Sequence, residues 1–229
     1  MLPTQTVENY LKTIYGAQTD RGPGDALVPM GHLASTLGVA PGTATTMVKA
    51  LADSGLVHYE PYAGVRLTPA GEKLASLVLR RHRLIELFLV KVLDMNWSEV
   101  HDEAEQLEHA VSDRLIERID AMLGRPTADP HGDPIPSAEG TVPEISDVDL
   151  VTAAVGEPVR VARVIDQDAT FLRFVERHGL VPGSRLVVIE RDPASDSVVI
   201  SSDDGQTTTI GARAAAKILV RLERPPASF

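Results

Sequence analysis

The chain has 229 residues, 43% of them hydrophobic, and a formal net charge of -10, the make-up of a soluble globular protein with room for more than one small domain. Cysteine is absent, which excludes a disulfide framework, a thiolate metal site and a thiol nucleophile and leaves any metal to nitrogen and oxygen donors. Residues 1–82 carry 7 Lys and Arg against 6 Asp and Glu, and residues 83–229 carry 15 against 26, so nucleic acid is excluded from all but a small, locally basic surface on the head.

In chain order, TVENYLKTIYGAQ places Val7, Tyr10, Leu11, Ile14 and Tyr15 at helical spacing before the Gly- and Pro-containing DRGPGDALVP breaks it. MGHLASTLGV reads as a short second helix ending at Gly38, and APGTATTMVKALADSGLV as a third with Met47, Val48, Leu51 and Leu56 on one stripe. Two helices so closely joined suggest a helix-turn-helix. VHYEPYAGVRLTPAGE then gives two short strands around Ala63-Gly64, a wing, and a new helix capped by Thr68 with Pro69 at its first position.

A long helix is expected from about 69 to 92, and a second from an N-cap at Ser98 to a stop at Gly124. Their apolar stripes, Leu74, Leu77, Val78 and Leu84 on one and Val100, Ala104, Leu107, Val111 and Leu115 on the other, need burial, for which a second subunit is the natural partner. RPTADPHGDPIPSAEGTVPE reads as a linker with little local structure. Beyond it VRVARVI, RLVVIERD, SVVISS and KILVRLE are β-branched runs around one short helix at TFLRFVERHGL, suggesting a small β-barrel. No run approaches the roughly 18 apolar residues of a membrane span, and no signal segment is evident, so a cytoplasmic protein is expected.

The chemistry concentrates on the two long helices. His101, Glu105, Glu108 and His109 fall along one stripe of the second, and His82 and Glu86 are four apart on the first. Facing helices can converge such side chains on one divalent ion. The donor set of carboxylate and imidazole suits Mn²⁺, Fe²⁺ or Zn²⁺ and leans toward the harder ions. Glu and His at this spacing also occur on ordinary solvated faces, but Glu105 and Glu108 would repel on a shared face unless a cation lies between them. No HExxH pattern is present, so a hydrolytic zinc enzyme is not supported; nor is there a candidate nucleophile or a phosphate loop.

Taken together, TVENYLKTIY, SGLVHYEPYAGVRLTPAGEKLA, RRHRLIELFL, VHDEAEQLEHAVSD, HGDPIP and GLVPGSRLVVIERD resemble the DtxR/MntR family, the diphtheria-toxin-repressor-like iron and manganese repressors, over nearly the whole chain. The resemblance implies a mainly α protein: an N-terminal winged helix-turn-helix at 1–72, a helical dimerisation and metal-binding domain at 73–140, and a linker with a C-terminal SH3-like (FeoA-like) β-barrel at 141–229. It implies a homodimer that binds palindromic operator DNA when loaded with metal and controls metal-homeostasis genes, with no membrane and no small organic substrate.

Residue by residue, the resemblance places a primary activating site at Asn9, Glu105, Glu108 and His109, and an ancillary site at His82, Glu86 and His101, completed from the last domain. Asp166 and Asp168, with Gln167 between them, are the nearest acids there, and Asp168 is favoured. Iron-type relatives carry Met and Cys at the positions of Asn9 and Glu105, manganese-type ones Asp and Glu. Glu105 is therefore manganese-like, while Asn9 departs from both patterns. The expected cofactor is Mn²⁺, with Fe²⁺ the alternative and Zn²⁺ able to substitute. Lys12 stands where some manganese-type relatives carry another acid, which argues against a second ion bound beside the first.

For DNA, the expected contacts are Thr43, Thr45 and Thr46 on the third helix with Lys49 on phosphate, Thr6 at the start of the first helix, and Tyr59, Tyr62 and Arg66 on the wing. Threonine hydroxyls serve phosphate or bases and their methyls pack on thymine, although three threonines also make a weak helix start and wing aromatics also serve as packing residues.

Overall fold

The computed structural model describes residues 4–19, 27–143 and 146–223. The chain forms two compact units. The first gathers Met1–His82 with the short segments Glu108–Val111 and Pro136–Val142.

In this unit α1 (Gln5–Thr19), α2 (Met30–Thr36) and α3 (Pro41–Asp53) precede a hairpin of β1 (Val57–Glu60) and β2 (Gly64–Leu67), after which α4 (Pro69–Leu93) begins. Helical spacing on α1 buries Tyr10, Leu11 and Ile14 in a core with Leu33, Ala44, Val48, Leu51, Val57 and Val65, the apolar stripes expected from the sequence. The hairpin is antiparallel with Val57 opposite Leu67 and Glu60 opposite Gly64. Val28 bridges to Val65 as a short third strand. A Cβ at Gly64 would stand 2.5 Å from the Val28 carbonyl oxygen, so this close approach requires glycine. Thr68 ends the wing and starts α4, its Oγ1 accepting from the Gly71 amide at 3.2 Å. The expected break at residues 20–26 lies outside the described residues.

The second unit comprises Arg83–Leu107, Ser112–Ile135 and Pro143–Phe229. It holds the end of α4, then α5 (Val100–Leu107), α6 (Asp113–Met122), β3 (Val148–Asp149), β4 (Pro158–Val164), α7 (Ala169–Arg177), β5 (Arg185–Asp192), β6 (Ser197–Ser202), β7 (Thr207–Gly211), α8 (Ala212–Ala215) and β8 (Ile218–Leu222). The six strands form an antiparallel sheet in the order β3-β8-β4-β5-β6-β7. Register shifts at Val161/Arg163 and Val188/Glu190 bend it. Its alternating inward residues, among them Val159, Val161, Leu186, Val188, Val198, Ile200 and Val220, share a core with Leu172, Val175 and Trp97.

Three sequence expectations change. Among the described residues 43% are helix and 21% strand, a mixed architecture in which the C-terminal sheet domain carries more weight than "mainly α" allows. The helix expected from Ser98 to Gly124 is two helices: Ser98 lies in a turn, its amide donating to Asn96 Oδ1 at 2.8 Å, and α5 stops at Leu107. Ser112 then caps α6, accepting from the Leu115 amide at 3.4 Å, because a serine followed by Asp113 in the first turn favours a fresh start over continuation. The segment read as a linker is also ordered. Asp129 Oδ1 accepts from the amides of His131 (2.8 Å) and Asp133 (2.9 Å), folding it into a compact, buried turn.

Candidate metal centres and DNA-contacting face

In the first unit, polar side chains of α1, the end of α4's first part and the turn after α5 meet in a largely buried group. Glu108 is fully buried; its Oε1 accepts from Lys12 Nζ at 2.6 Å and its Oε2 lies 2.7 Å from His82 Nδ1. Burial alone would push this carboxyl up, but the His82 hydrogen bond and the Lys12 ammonium outweigh it and hold Glu108 below the usual carboxylate range. His109 Nε2 stands 3.3 Å from Glu108 Oε1, while its Nδ1 is 2.6 Å from Glu8 Oε2. Glu8 in turn accepts from Arg81 at 2.5 Å. A carboxylate behind an imidazole orients the ring and raises the basicity of its other nitrogen.

In the second unit, acids and imidazoles alternate. Glu105 Oε1 is 3.8 Å from His101 Nε2, and His101 Nδ1 is 3.3 Å from Glu86 Oε1. The other oxygen, Glu86 Oε2, lies 3.8 Å from His131 Nδ1, which is 4.0 Å from Asp129 Oδ1. Glu86 and His131 are fully buried and Asp129 nearly so, and the three offer ligand atoms close enough for one ion. His131 Nε2 donates to the Trp97 carbonyl at 2.9 Å and its ring stacks on the indole. Burial, then the carboxylates of Asp133 and Glu86, push Asp129 well above its ordinary range against the pull of Arg83. Gly132 makes the turn possible: its φ is 86°, and a Cβ there would lie 1.9 Å from the Ala162 carbonyl oxygen on β4.

The third helix presents Thr43, Thr46 and Lys49 exposed and Thr45 half-buried. Thr45 and Thr46 donate their hydroxyls to the Pro41 and Gly42 carbonyls at 2.9 and 3.0 Å, leaving lone pairs and methyl groups for a partner. Thr6 is exposed in the first turn of α1. At the wing, Tyr62 is fully exposed with a positive φ of 65°, whereas Tyr59 packs against the core of its own unit and Arg66 is half-buried.

Three family models match in succession: the N-terminal DNA binding domain of iron dependent repressors over residues 2–65, their metal binding and dimerisation domain over 68–137, and a FeoA domain over 148–222. The iron-dependent repressor IdeR of Mycobacterium leprae is 31% identical over 208 residues, 85% of this chain and 88% of its own length. The chain belongs to the DtxR family of metal-dependent repressors. Among solved structures, a manganese-dependent transcriptional repressor in complex with manganese is 42% identical, with a TM-score of 0.85 over 95% of this chain and 100% of that one. ScaR with bound Zn²⁺ is 34% identical, with a TM-score of 0.78 over 96% and 100%. The family is one of DNA-binding transcriptional repressors, not enzymes.

The donors in this DtxR-family repressor fit a divalent ion. Asn9 Oδ1 and His109 Nε2 in the first unit, and Asp129 Oδ2 and His131 Nδ1 in the second, are buried without a hydrogen-bond partner. Buried polar atoms left unpaired are rare and costly, and an ion satisfies them. Asp168 stands at the N-cap of α7. Its Oδ1 caps α7, accepting from the amides of Thr170 (2.9 Å) and Phe171 (3.0 Å), and Asp166 pairs with Lys217. Gln167 instead reaches Asp133 Oδ2 at 3.3 Å. Sequence reasoning missed Glu8, Asp129 and His131. The HGDP run was available as a signal, since a histidine between two aspartates is an unusual content for a plain linker.

Proposed function

We propose that this DtxR-family protein is a Mn²⁺-activated repressor that binds palindromic operator DNA as a homodimer in the cytoplasm and controls metal-ion homeostasis genes. The observation that carries the reading is the pair of buried ligand atoms without a hydrogen-bond partner, Asn9 Oδ1 and His109 Nε2, beside the fully buried carboxylate of Glu108. Asn9 belongs to α1 of the DNA-binding head and Glu108 and His109 to the turn after α5. By holding one ion in common they fix α1 against that turn, which raises the fraction of heads poised for two half-sites.

Glu105 completes this donor set by its resemblance to the manganese-type relatives. A set of amide and carboxylate oxygens with imidazole, without sulfur, favours Mn²⁺ over softer ions, and the manganese complex among the solved relatives points the same way. The runner-up is Fe²⁺ as effector, favoured by the iron-dependent names of the curated relatives. Glu86, Asp129 and His131 hold a second ion, with His101 on the other oxygen of Glu86. Leu115 and Met122 stand exposed seven residues apart on one face of α6, apolar surface suited to the second subunit.

The test is titration of metal-stripped protein with Mn²⁺, anaerobic Fe²⁺ and Zn²⁺ while following operator binding by fluorescence anisotropy at fixed salt. Mn²⁺ should switch binding on where Fe²⁺ does not, and Glu105→Ala should abolish the response. Binding that ignores every metal overturns the assignment.

A further inference from the structure

The primary centre contains a positive charge of its own. Lys12 Nζ touches Glu108 Oε1 at 2.6 Å, and the same oxygen is the one that faces His109 Nε2 at 3.3 Å. The other oxygen is taken by His82. Lys12 lies three residues beyond Asn9, on the same face of α1. The remaining carboxylate of the cluster, Glu8, is matched by Arg81. Glu108 and Glu8 thus each face a permanently charged base, Lys12 and Arg81, besides the imidazoles of His82 and His109, before any ion enters.

A divalent ion held by Glu108 and His109 would lie close to the Lys12 ammonium, which already touches Glu108 Oε1. Like charges at such a separation repel strongly where water is scarce. The Lys12 side chain is 17% exposed while that of Glu108 is 0% exposed, so lysine is the partner that can leave. Its ammonium rides a flexible four-carbon stem that reaches solvent.

We propose that Lys12 is a tethered cation that holds the ligand oxygen of Glu108 in the metal-free protein, yields it to the incoming ion, and so sets the metal concentration at which the repressor loads. Without Lys12, the buried Glu108 would keep His82 on Oε2 but lose its permanently charged partner on Oε1 in the metal-free state, which costs stability. With it, the centre is preformed and every loading event must displace a bound charge. Lys12 is in this sense a specificity-determining residue: it weakens the binding of all ions, and leaves occupied only those that gain enough from Asn9, Glu108 and His109 to expel it.

The inference rests on Glu108 and His109 being ligands, and the experiment separates the two claims. Full-length wild type, K12M, K12Q, K12R and E108Q would be stripped of metal and titrated with Mn²⁺, counting free ion by its electron paramagnetic resonance signal. Melting temperature would be recorded in chelator and at Mn²⁺ saturation. For the class of ion that E108Q loses, K12M and K12Q should bind about tenfold more tightly than wild type, a modest share of the repulsion between such charges. K12R should stay near wild type. In chelator K12M should melt earlier, with a larger gain on Mn²⁺ than wild type. Should K12M fail to fold without metal, K12Q, which keeps a hydrogen-bond donor without the charge, carries the affinity comparison. Unchanged or weaker Mn²⁺ binding in K12Q overturns the role of Lys12 while leaving the ligand set intact. Mn²⁺ binding by E108Q that matches wild type in number and affinity overturns the ligand set itself, and the role of Lys12 with it.

Discussion

His131 donates its Nε2 hydrogen to the backbone carbonyl of Trp97 at 2.9 Å, and a carbonyl oxygen can only accept. In the neutral ring the lone pair therefore resides on Nδ1, the atom that faces Glu86 and Asp129 and has no hydrogen-bond partner of its own. The tautomer required of a metal ligand is set before any metal arrives. We expect His131→Ala to remove one ion per protomer, read by equilibrium dialysis and elemental analysis at saturating Mn²⁺, while the ion that depends on Glu108 remains. An unchanged ion count would disprove the second centre.

Asp129 supplies a pH signature. Burial and the neighbouring Asp133 and Glu86 carboxylates raise its folded-state pKa, so between the ordinary aspartate range and the raised value the folded protein keeps a proton that the unfolded chain releases. The folded state then binds more protons, and this contribution to stability falls as pH rises through that window. Asp129→Asn keeps an oxygen for the His131 and Asp133 amides and removes the titrating group. In chelator, the difference in melting temperature between the variant and wild type should grow in favour of the variant as pH rises from about 4 toward neutrality. A difference that stays flat or reverses would show that Arg83 balances the charge completely.

The parts that were legible in the sequence are those written as local periodicity. The stripes of α1 and α3, the Thr68-Pro69 start of α4 and the β-branched runs of the last domain all reflect side chains that must share a face to be buried. What was not legible depends on long-range partners. Glu108 and His109 continue the helical spacing of His101 and Glu105, yet α5 ends at Leu107 because Ser112 begins a new helix, and no periodicity records that competition. Glu8 reads as an ordinary first-turn acid until Arg81 and His109, distant in sequence, are placed against it. The 129–133 turn was hidden by its proline and glycine content, which mark irregular backbone without telling whether that backbone is exposed or buried.

Glu8 holds His109 Nδ1 at 2.6 Å and thereby aims Nε2. Glu8→Gln removes the charge that polarises the ring and loosens the Arg81 contact. Losses of such outer partners cost roughly 10- to 100-fold in metal affinity, and that range is expected for Mn²⁺ at the primary centre, with the ion count unchanged at saturation. Wild-type affinity in this variant would mean that His109 is positioned by packing alone.

Gly132→Ala tests the frame around the second centre. The new methyl would meet the Ala162 carbonyl at 1.9 Å in a residue whose φ is 86°, so both backbone strain and a direct clash oppose it. Thermal or urea unfolding in chelator should show a loss of about 2–4 kcal/mol, from backbone strain and overpacking of roughly 1–3 kcal/mol each. A loss below about 1 kcal/mol would mean that the turn can move away from β4 at little cost.

If α3 meets the operator as proposed, Lys49 and Thr46 should make two kinds of contact. Lys49 is exposed one turn beyond Thr46 on α3, and a lysine there would meet phosphate, which carries no base identity. Lys49→Ala should weaken Mn²⁺-dependent binding of operator and non-operator DNA by similar factors and reduce the salt slope by about one unit per contact. Thr46 already donates its hydroxyl to the Gly42 carbonyl at 3.0 Å, so what it offers DNA is a methyl group and an acceptor. Thr46→Val preserves the methyl and should leave operator affinity within about threefold, whereas Thr46→Ser removes it and should cost about 1 kcal/mol, selectively at thymine-containing positions. If valine loses affinity and serine keeps it, the oxygen rather than the methyl reads the operator, and anisotropy with base-substituted duplexes would show which base it meets.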